Sequence, residues 1–137
     1  MLLDAGRRRG EHLHEACGEL GLTDRVAVVV ARAEEAARDV QWRGSVDLVI
    51  ARAFGSPAAT AECAVGFLRP GGWLVVSEPP GGDPARWDPA GLAKLGLVGP
   101  EMLRGDGATA ATFVLPRETE DRWPRRTGVP VHRPLWR

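Results

Sequence analysis

Residues Ser45–Glu78 read SVDLVIARAFGSPAATAECAVGFLRPGGWLVVSE. The stretch reads as strand, loop, helix, turn, strand. Leu48-Val49-Ile50, within Asp47–Ala51, is a short apolar run of the kind a buried strand shows. Ser56 is placed to cap a helix, and Pro57 to occupy its first position, where a missing N–H is harmless. Ala61, Ala64, Val65 and Leu68 then recur at helical spacing. Arg69-Pro70-Gly71-Gly72 reads as the stop and the turn. Trp73–Val76 is a second apolar run, closed by Ser77-Glu78-Pro79-Pro80. Two strands joined by a helix form a right-handed crossover with parallel strands. Ligands bind such sheets beyond the carboxyl ends of the strands, here at Arg52-Ala53-Phe54-Gly55 and at Glu78.

On the N-terminal side, Leu2-Leu3-Asp4 reads as the end of a buried strand. Arg7–Leu20 reads as a helix with Leu13, Ala16, Cys17 and Leu20 on one face, Arg25–Ala31 as a strand, and Ala33–Arg38 as a short helical turn. On the C-terminal side, Pro79–Trp87 is loop, and Asp88 caps a short helix over Pro89–Leu95 that stops at Gly96. Leu97–Leu103 and Thr109–Leu115 form an antiparallel pair around Arg104–Ala108, a link longer than the two-residue ideal. Pro116–Arg137 has turn residues and few core formers, so it reads as an extended tail lying on the domain. The expected class is α/β, a mostly parallel sheet with an antiparallel edge. Residues 1–116 form the domain and 117–137 the basic tail.

A chain of 137 residues with 44% hydrophobic and 26% charged residues has the makeup of one globular domain. Its formal net charge is zero, which argues against whole-molecule attraction to nucleic acid. The tail differs: Arg122–Arg137 holds five arginines and no acidic residue, so the remainder carries −5. Trp123 and Trp136 interleave with those arginines, a composition suited to RNA phosphates and base stacking. The competing reading makes the same aromatics and prolines staples to the core. No apolar run approaches a membrane span, and Met1-Leu2-Leu3-Asp4 has neither the positive n-region nor the long h-region by which a signal peptide reads. Cys17 and Cys63 are lone and read as small buried hydrophobes in a reducing cytoplasm. His12, His14 and His132 lack ligand spacing, so no metal site is expected.

The order of elements resembles that of the Rossmann-like, S-adenosylmethionine-dependent methyltransferases, and FLRPGGWLVV (Phe67–Val76) is similar to a stretch common among them. The tail, Trp123-Pro124-Arg125-Arg126-Thr127-Gly128-Val129-Pro130-Val131-His132-Arg133-Pro134-Leu135, resembles the closing segment of the small-subunit rRNA guanine-N7 methyltransferases, once called glucose-inhibited division protein B. DLVIARA (Asp47–Ala53) resembles that family's fourth strand and its exit, and Arg32-Ala33-Glu34-Glu35 its third-strand exit. His132 departs from the family's usual lysine or arginine. Leu2–Asp4 corresponds to the family's second strand. The helical segment, first strand and Gly-rich loop that precede it in the family have no counterpart here, so the chain reads as N-terminally truncated relative to the family. The first strand lies between the second and fourth in that fold. Two outcomes are open: the second strand pairs with the fourth, or an apolar edge is exposed and invites self-association.

The resemblance implies a cytoplasmic enzyme that uses S-adenosylmethionine and acts on ribosomal RNA. It implies cofactor contacts from Asp4 to the ribose, from Ala33 and Glu34 to the adenine, and from Arg52 to the methionine portion or the substrate. It implies RNA contacts from Arg125, Arg126, His132 and Arg133. No catalytic acid or base is expected, because guanine N7 carries a lone pair and no proton. The alternative is a non-catalytic fold that at most binds RNA through its tail.

Overall fold

The computed structural model describes all 137 residues. Six strands and five α-helices follow in the order β1 (Leu2–Asp4), α1 (Arg7–Glu19), β2 (Val28–Val30), α2 (Ala33–Ala36), β3 (Val46–Ala51), α3 (Pro57–Val65), β4 (Leu68–Glu78), α4 (Pro89–Leu95), β5 (Val98–Gly105), β6 (Ala108–Leu115) and α5 (Val129–His132), with a 3₁₀ turn at Pro84–Arg86. The helix starts follow the capping logic of the sequence. Ser56 Oγ accepts from Ala59 N at 3.3 Å, and Asp88 Oδ2 accepts from Gly91 N at 2.6 Å. Both helices carry Pro at their first position.

Three local expectations change. Arg69–Gly72 does not end a helix; α3 stops at Val65, and these residues lie within β4. They form a bulge, because Val46 pairs with Leu68 while Leu48 pairs with Trp73. Gly71 is left-handed (φ 78°), and a Cβ on Gly72 would sit 2.9 Å from the Arg69 carbonyl, so two glycines absorb the excess residues. The β5–β6 link is shorter than expected. The strands run on until Gly105 pairs with Ala108, leaving only Asp106-Gly107 as the turn, with Gly107 at φ 74°. The strand expected over Arg25–Ala31 shrinks to three residues, since Arg25 and Val26 close a turn on Leu22 instead.

The strands form two sheets. β1 and β2 pair in parallel, and the other four run in the order β3-β4-β6-β5. β3 and β4 are parallel, while β6 is antiparallel to both its neighbours, β4 and β5. Parallel and antiparallel pairings are therefore equal in number, because β1 and β3 do not pair.

Alternation along the strands assigns two sides. Val49, Ala51, Leu74, Val76, Ala111, Phe113 and Leu115 join Val65, Leu92, Leu95 and Trp87 from the α3 and α4 region in the main core. Trp87 and Phe113 stack there, ring centroids 4.5 Å apart. A second cluster, Ala33, Ala36, Ala37, Cys63 and Phe67, takes Leu3 from β1 and Val49 from β3 on that same side. α1 lies on the other side, where a Cβ on Gly10 would meet Val30 at 2.3 Å. The two crossovers run outward in opposite directions from between β1 and β3. Their right-handedness therefore places α1 and α3 on opposite sides.

Phe113→Ala opens a void in the main core, and urea unfolding should lose about 3 to 5 kcal/mol. Leu103→Ala, on the uncovered side of β5, should stay within about 0.5 kcal/mol of the parent.

Candidate functional site

The carboxyl ends of β1, β2, β3 and β4 carry Asp4, Ala33-Glu34, Arg52 and Glu78. Asp4 closes β1 and turns into α1. Its Oδ1 accepts from Gly6 N at 2.6 Å and its Oδ2 from Arg9 Nε at 2.7 Å. The Arg9 hydrogen bond, aided by the Gly6 N–H, holds the Asp4 carboxyl below its ordinary value. Asp4 is thus ionised and fixed in orientation, half-buried, beside Arg8, His12 and Leu13. A carboxylate offers about four acceptor sites, so capacity remains for hydroxyl donors.

Arg52 is exposed and follows β3 directly. With Phe54, Thr60, Ser77, Glu78 and Trp87 it lines a cleft of about 370 Å³. Ala53 holds φ 50°, a left-handed conformation uncommon for a residue with a Cβ, and it presents Phe54 at the rim. The Glu78 carboxylate is buried at the floor, accepts from Trp87 Nε1 at 3.1 Å and pairs with Arg86. Glu78 therefore organises the 3₁₀ turn that walls the cleft. Phe54 lies in the loop that the sequence places beyond the strand's carboxyl end, where the sequence alone assigns it no role, and the structure sets it in the lining of the cleft.

Glu34 and Arg125 do not stand where the resemblance would use them. The Glu34 carboxylate is buried and accepts from Gly128 N at 3.0 Å and Arg32 Nη2 at 3.3 Å. Burial pushes Glu34 towards the neutral form. Its own backbone N–H, that of Gly128 and the Arg32 guanidinium outweigh burial and leave the group below its ordinary value. This carboxylate faces the tail. Ala33, beside it, is buried in the second cluster.

Arg125 closes a two-pronged ion pair with Glu62, Nε to Oε1 at 2.8 Å and Nη2 to Oε2 at 2.6 Å. The Arg125 backbone N–H adds a third bond to Glu62 Oε1 at 2.8 Å. Glu62 is fully buried on α3. It was legible in principle, since a lone carboxylate in PAATAECAV requires a partner once the helix is buried. Nearby, burial first and then the Glu34 and Glu62 charges push the Cys63 thiol up to about 12, so it is an inert core residue.

The aromatics of the tail are staples. Trp123 is buried in the main core. Trp136 lies against Gly91, where a Cβ would meet its ring at 2.1 Å, and donates Nε1 to the Arg86 carbonyl at 3.0 Å. Trp123 is thereby withheld from base stacking, while Trp136 is packed on the core yet only partly buried. Arg38 Nε donates to the Pro124 carbonyl at 3.0 Å and Arg43 Nη1 to that of Trp123 at 2.8 Å. Arg126, His132 and Arg133 remain on the surface. No three His, Cys, Asp or Glu side chains cluster as a metal site, and no helix is long and apolar enough to cross a membrane.

The strand order, with α1 and α3 on opposite sides and a crevice at the strand ends, defines a Rossmann-like methyltransferase fold. Cofactor-bound Rv0187 from MTB superposes with a TM-score of 0.62 at 23% identity, over 84% of this chain and 60% of that one. The T. thermophilus 16S rRNA N2 G1207 methyltransferase, in complex with AdoMet and guanosine, superposes at 0.53 and 21% identity, over 85% of this chain and 29% of that one.

Within this fold the chain belongs to the GidB family, rRNA small subunit methyltransferase G, whose model matches residues 1–78. The ribosomal RNA small subunit methyltransferase G of Deinococcus radiodurans is 34% identical over 143 residues, covering 98% of this chain and 55% of the relative. That of Streptococcus thermophilus strain LMD-9 is 29% identical over 140 residues, covering 98% of this chain and 59% of the relative. The chain thus spans little more than half the length of these relatives.

Arg125→Ala strands the buried Glu62 charge. Denaturant titration should show a loss of about 3 kcal/mol, with Arg125→Lys recovering only part because it lacks the planar fork. Glu34 has a folded-state pKa below its ordinary 4.5, so its stabilisation is present above that pH and fades as pH falls through the folded value. Unfolding free energy followed from pH 6 to pH 3 should fall less steeply in Glu34→Gln than in the parent.

Proposed function

We propose that this chain is the methyltransferase-fold portion of a cytoplasmic enzyme that transfers a methyl group from S-adenosylmethionine to N7 of a guanine in small-subunit ribosomal RNA. The observation that carries this reading is the extent of the family match. Residues 1–78 include Asp4, Ala33, Arg52 and Glu78, the strand ends that border the crevice.

The residues present fit the cofactor in part. Asp4, ionised and oriented by Gly6 and Arg9, would accept from the ribose hydroxyls. Ala33 would offer its backbone beside the adenine, whereas Glu34, engaged by Gly128, would not contribute its carboxylate. Arg52, free at the cleft, would hold a carboxylate or the substrate. When bound, S-adenosylmethionine supplies an electrophilic methyl on a sulfonium sulfur, which the N7 lone pair takes as the S–C bond breaks and sulfur keeps the electron pair. Guanine N7 gives up no proton, so the chain needs no general base. Its residues act by alignment.

On the RNA side, Arg126, His132 and Arg133 are the tail's free contacts, while Arg125 supports them by anchoring the tail through Glu62. The anchored geometry favours phosphate contact over base stacking, because Trp123 is buried in the core and Trp136 is packed against Gly91 and bonded to the Arg86 carbonyl.

Calorimetry with S-adenosylmethionine and filter binding with a 16S rRNA fragment test the two halves of the reading. Asp4→Ala should weaken the cofactor at least tenfold. Arg126→Ala with Arg133→Ala should weaken RNA binding and lower the slope of log K against log salt by about 2. RNA binding without cofactor binding would favour the non-catalytic alternative. An unchanged salt slope would remove the tail from the RNA contact.

A further inference from the structure

The Asp4 carboxylate is largely engaged by the chain itself. Oδ1 accepts from Gly6 N at 2.6 Å, and Oδ2 accepts from Arg9 Nε at 2.7 Å. Arg9 Nη2 lies 2.7 Å from Oδ1, so the planar guanidinium grips both oxygens. Three nitrogens thus converge on a group with about four acceptor positions. Oδ1 faces two of them and is full, which leaves one position, on Oδ2. A ribose diol presents two adjacent hydroxyls, and a carboxylate holds such a pair by giving one oxygen to each. The Arg9 fork uses the same pattern, so Arg9 and a diol compete for one seat.

The sequence around Asp4 builds that seat. Asp4-Ala5-Gly6-Arg7-Arg8-Arg9 turns from β1 into α1, with Gly6 at the N-cap. A Cβ on Gly6 would lie 2.8 Å from Arg9 Cζ and 2.8 Å from Nη2. The Gly6 backbone is ordinary (φ −85°, ψ 115°), so conformation does not demand glycine there. What glycine provides is the space through which the guanidinium closes onto Asp4. Outside the pair lies an open recess lined by Arg8, His12 and Leu13, and the Arg9 side chain is 71% exposed. An ion pair this open is weak and screened by salt, so a ligand can displace it. The displaced guanidinium passes into water, and no charge is left buried without a partner.

We propose that Arg9 sets the affinity and the selectivity of the Asp4 site by occupying it. In the unliganded chain the guanidinium holds the positions that a ribose diol needs, and the diol binds by exchanging places with it. The inference rests on the reading of Asp4 as the ribose acceptor and adds a second residue to that site. Arg9 acts through Asp4, as a positioning residue that is also an internal competitor. A ligand with a single hydroxyl takes only the free position on Oδ2 and leaves Arg9 where it is. A vicinal diol is the ligand that displaces it.

The test follows the 137-residue chain by NMR during titration with adenosine, which is uncharged, and with 2′,3′-dideoxyadenosine, which lacks the diol. The ratio of the two affinities isolates the diol. Arg9→Ala should raise that ratio about two- to fivefold, the scale of an exposed ion pair. Gly6→Ala should raise it as well, because the added methyl pushes the guanidinium off Asp4 while its charge stays on the helix. Arg7→Ala, which removes a charge paired with Glu11 instead, should leave the ratio unchanged. Added salt should raise the ratio in the parent and not in Arg9→Ala. In the parent, the Arg9 Nε–H resonance should move as adenosine saturates the site and stay unmoved with dideoxyadenosine. An orienting role alone predicts the opposite sign for Arg9→Ala. The proposal is overturned if Arg9→Ala lowers the ratio, or if the Arg9 Nε–H resonance is unmoved at adenosine saturation. Asp4→Ala separates this failure from that of the ribose reading. If Asp4→Ala leaves the parent's ratio unchanged, or neither nucleoside moves the Gly6 amide, Asp4 is no ribose site and both fall. If Asp4→Ala and Arg9→Ala both lower the ratio, the ribose reading stands and the proposal alone is lost.

Discussion

The Glu62 carboxylate, fully buried on α3 and held by three hydrogen bonds from Arg125, is the interaction on which the rest of this structure depends. α3 is buried along its whole length from Ala58 to Val65. One flank meets the sheet, and the other is sealed by Trp123, Pro124 and Arg125 at the start of the tail. A charge in that position is tolerated only with a partner of matching geometry, and the planar guanidinium supplies two donors in register. The ion pair therefore makes the core contingent on the last fifteen residues. Glu34 repeats the device one helix away, with the Gly128 N–H as its donor.

This arrangement links two regions that a motif reading treats separately. In that reading the strand exits at Ala33-Glu34 and Arg52 would border the crevice, and the arginines of the tail would meet RNA. In the folded chain, Glu34 is shared: its backbone lies at the exit of β2, while its carboxylate anchors the tail. Arg125 is likewise converted from a free cation into a structural post. The basic tail is consequently narrower as a candidate binding surface than its composition implies: Arg125 is held by Glu62 and Arg122 pairs with Glu120, leaving Arg126, His132, Arg133 and Arg137 as its unpaired outward groups.

The cleft between β3 and β4 follows from the same economy of parts. Glu78 sits where the strand ends and holds Arg86 and Trp87, so the loop after β4 becomes a wall. Ala53 accepts a strained backbone conformation so that the chain can leave β3 sharply, which sets Phe54 at the rim. These features lie at the carboxyl ends of two parallel strands, the side on which this class of sheet binds ligands.

Local chemistry sufficed for much of the fold. Ser56-Pro57 and Asp88-Pro89 set helix starts, the runs Leu48–Ile50 and Trp73–Val76 set a parallel pair, and the Val98–Leu115 hairpin followed from two apolar runs about a Gly/Asp link. These are short-range signals, governed by capping, periodicity and turn geometry within a few residues. Asp4 and Arg52 were legible as well, because a position at the end of a strand is itself a local property. What tertiary structure decided was partnership. Glu34 and Arg125 carry the charges and spacings of binding residues, but each is engaged by a group 94 or 63 residues away in the chain. Trp136 could be read as a stacking ring until Gly91 admitted it. The separation of the sheet into two parts, with Leu48, Ile50 and Trp73 uncovered, was likewise beyond local reading. Whether an apolar strand residue meets a helix or water depends on which elements surround the strand in space, and periodicity along the chain holds no record of that.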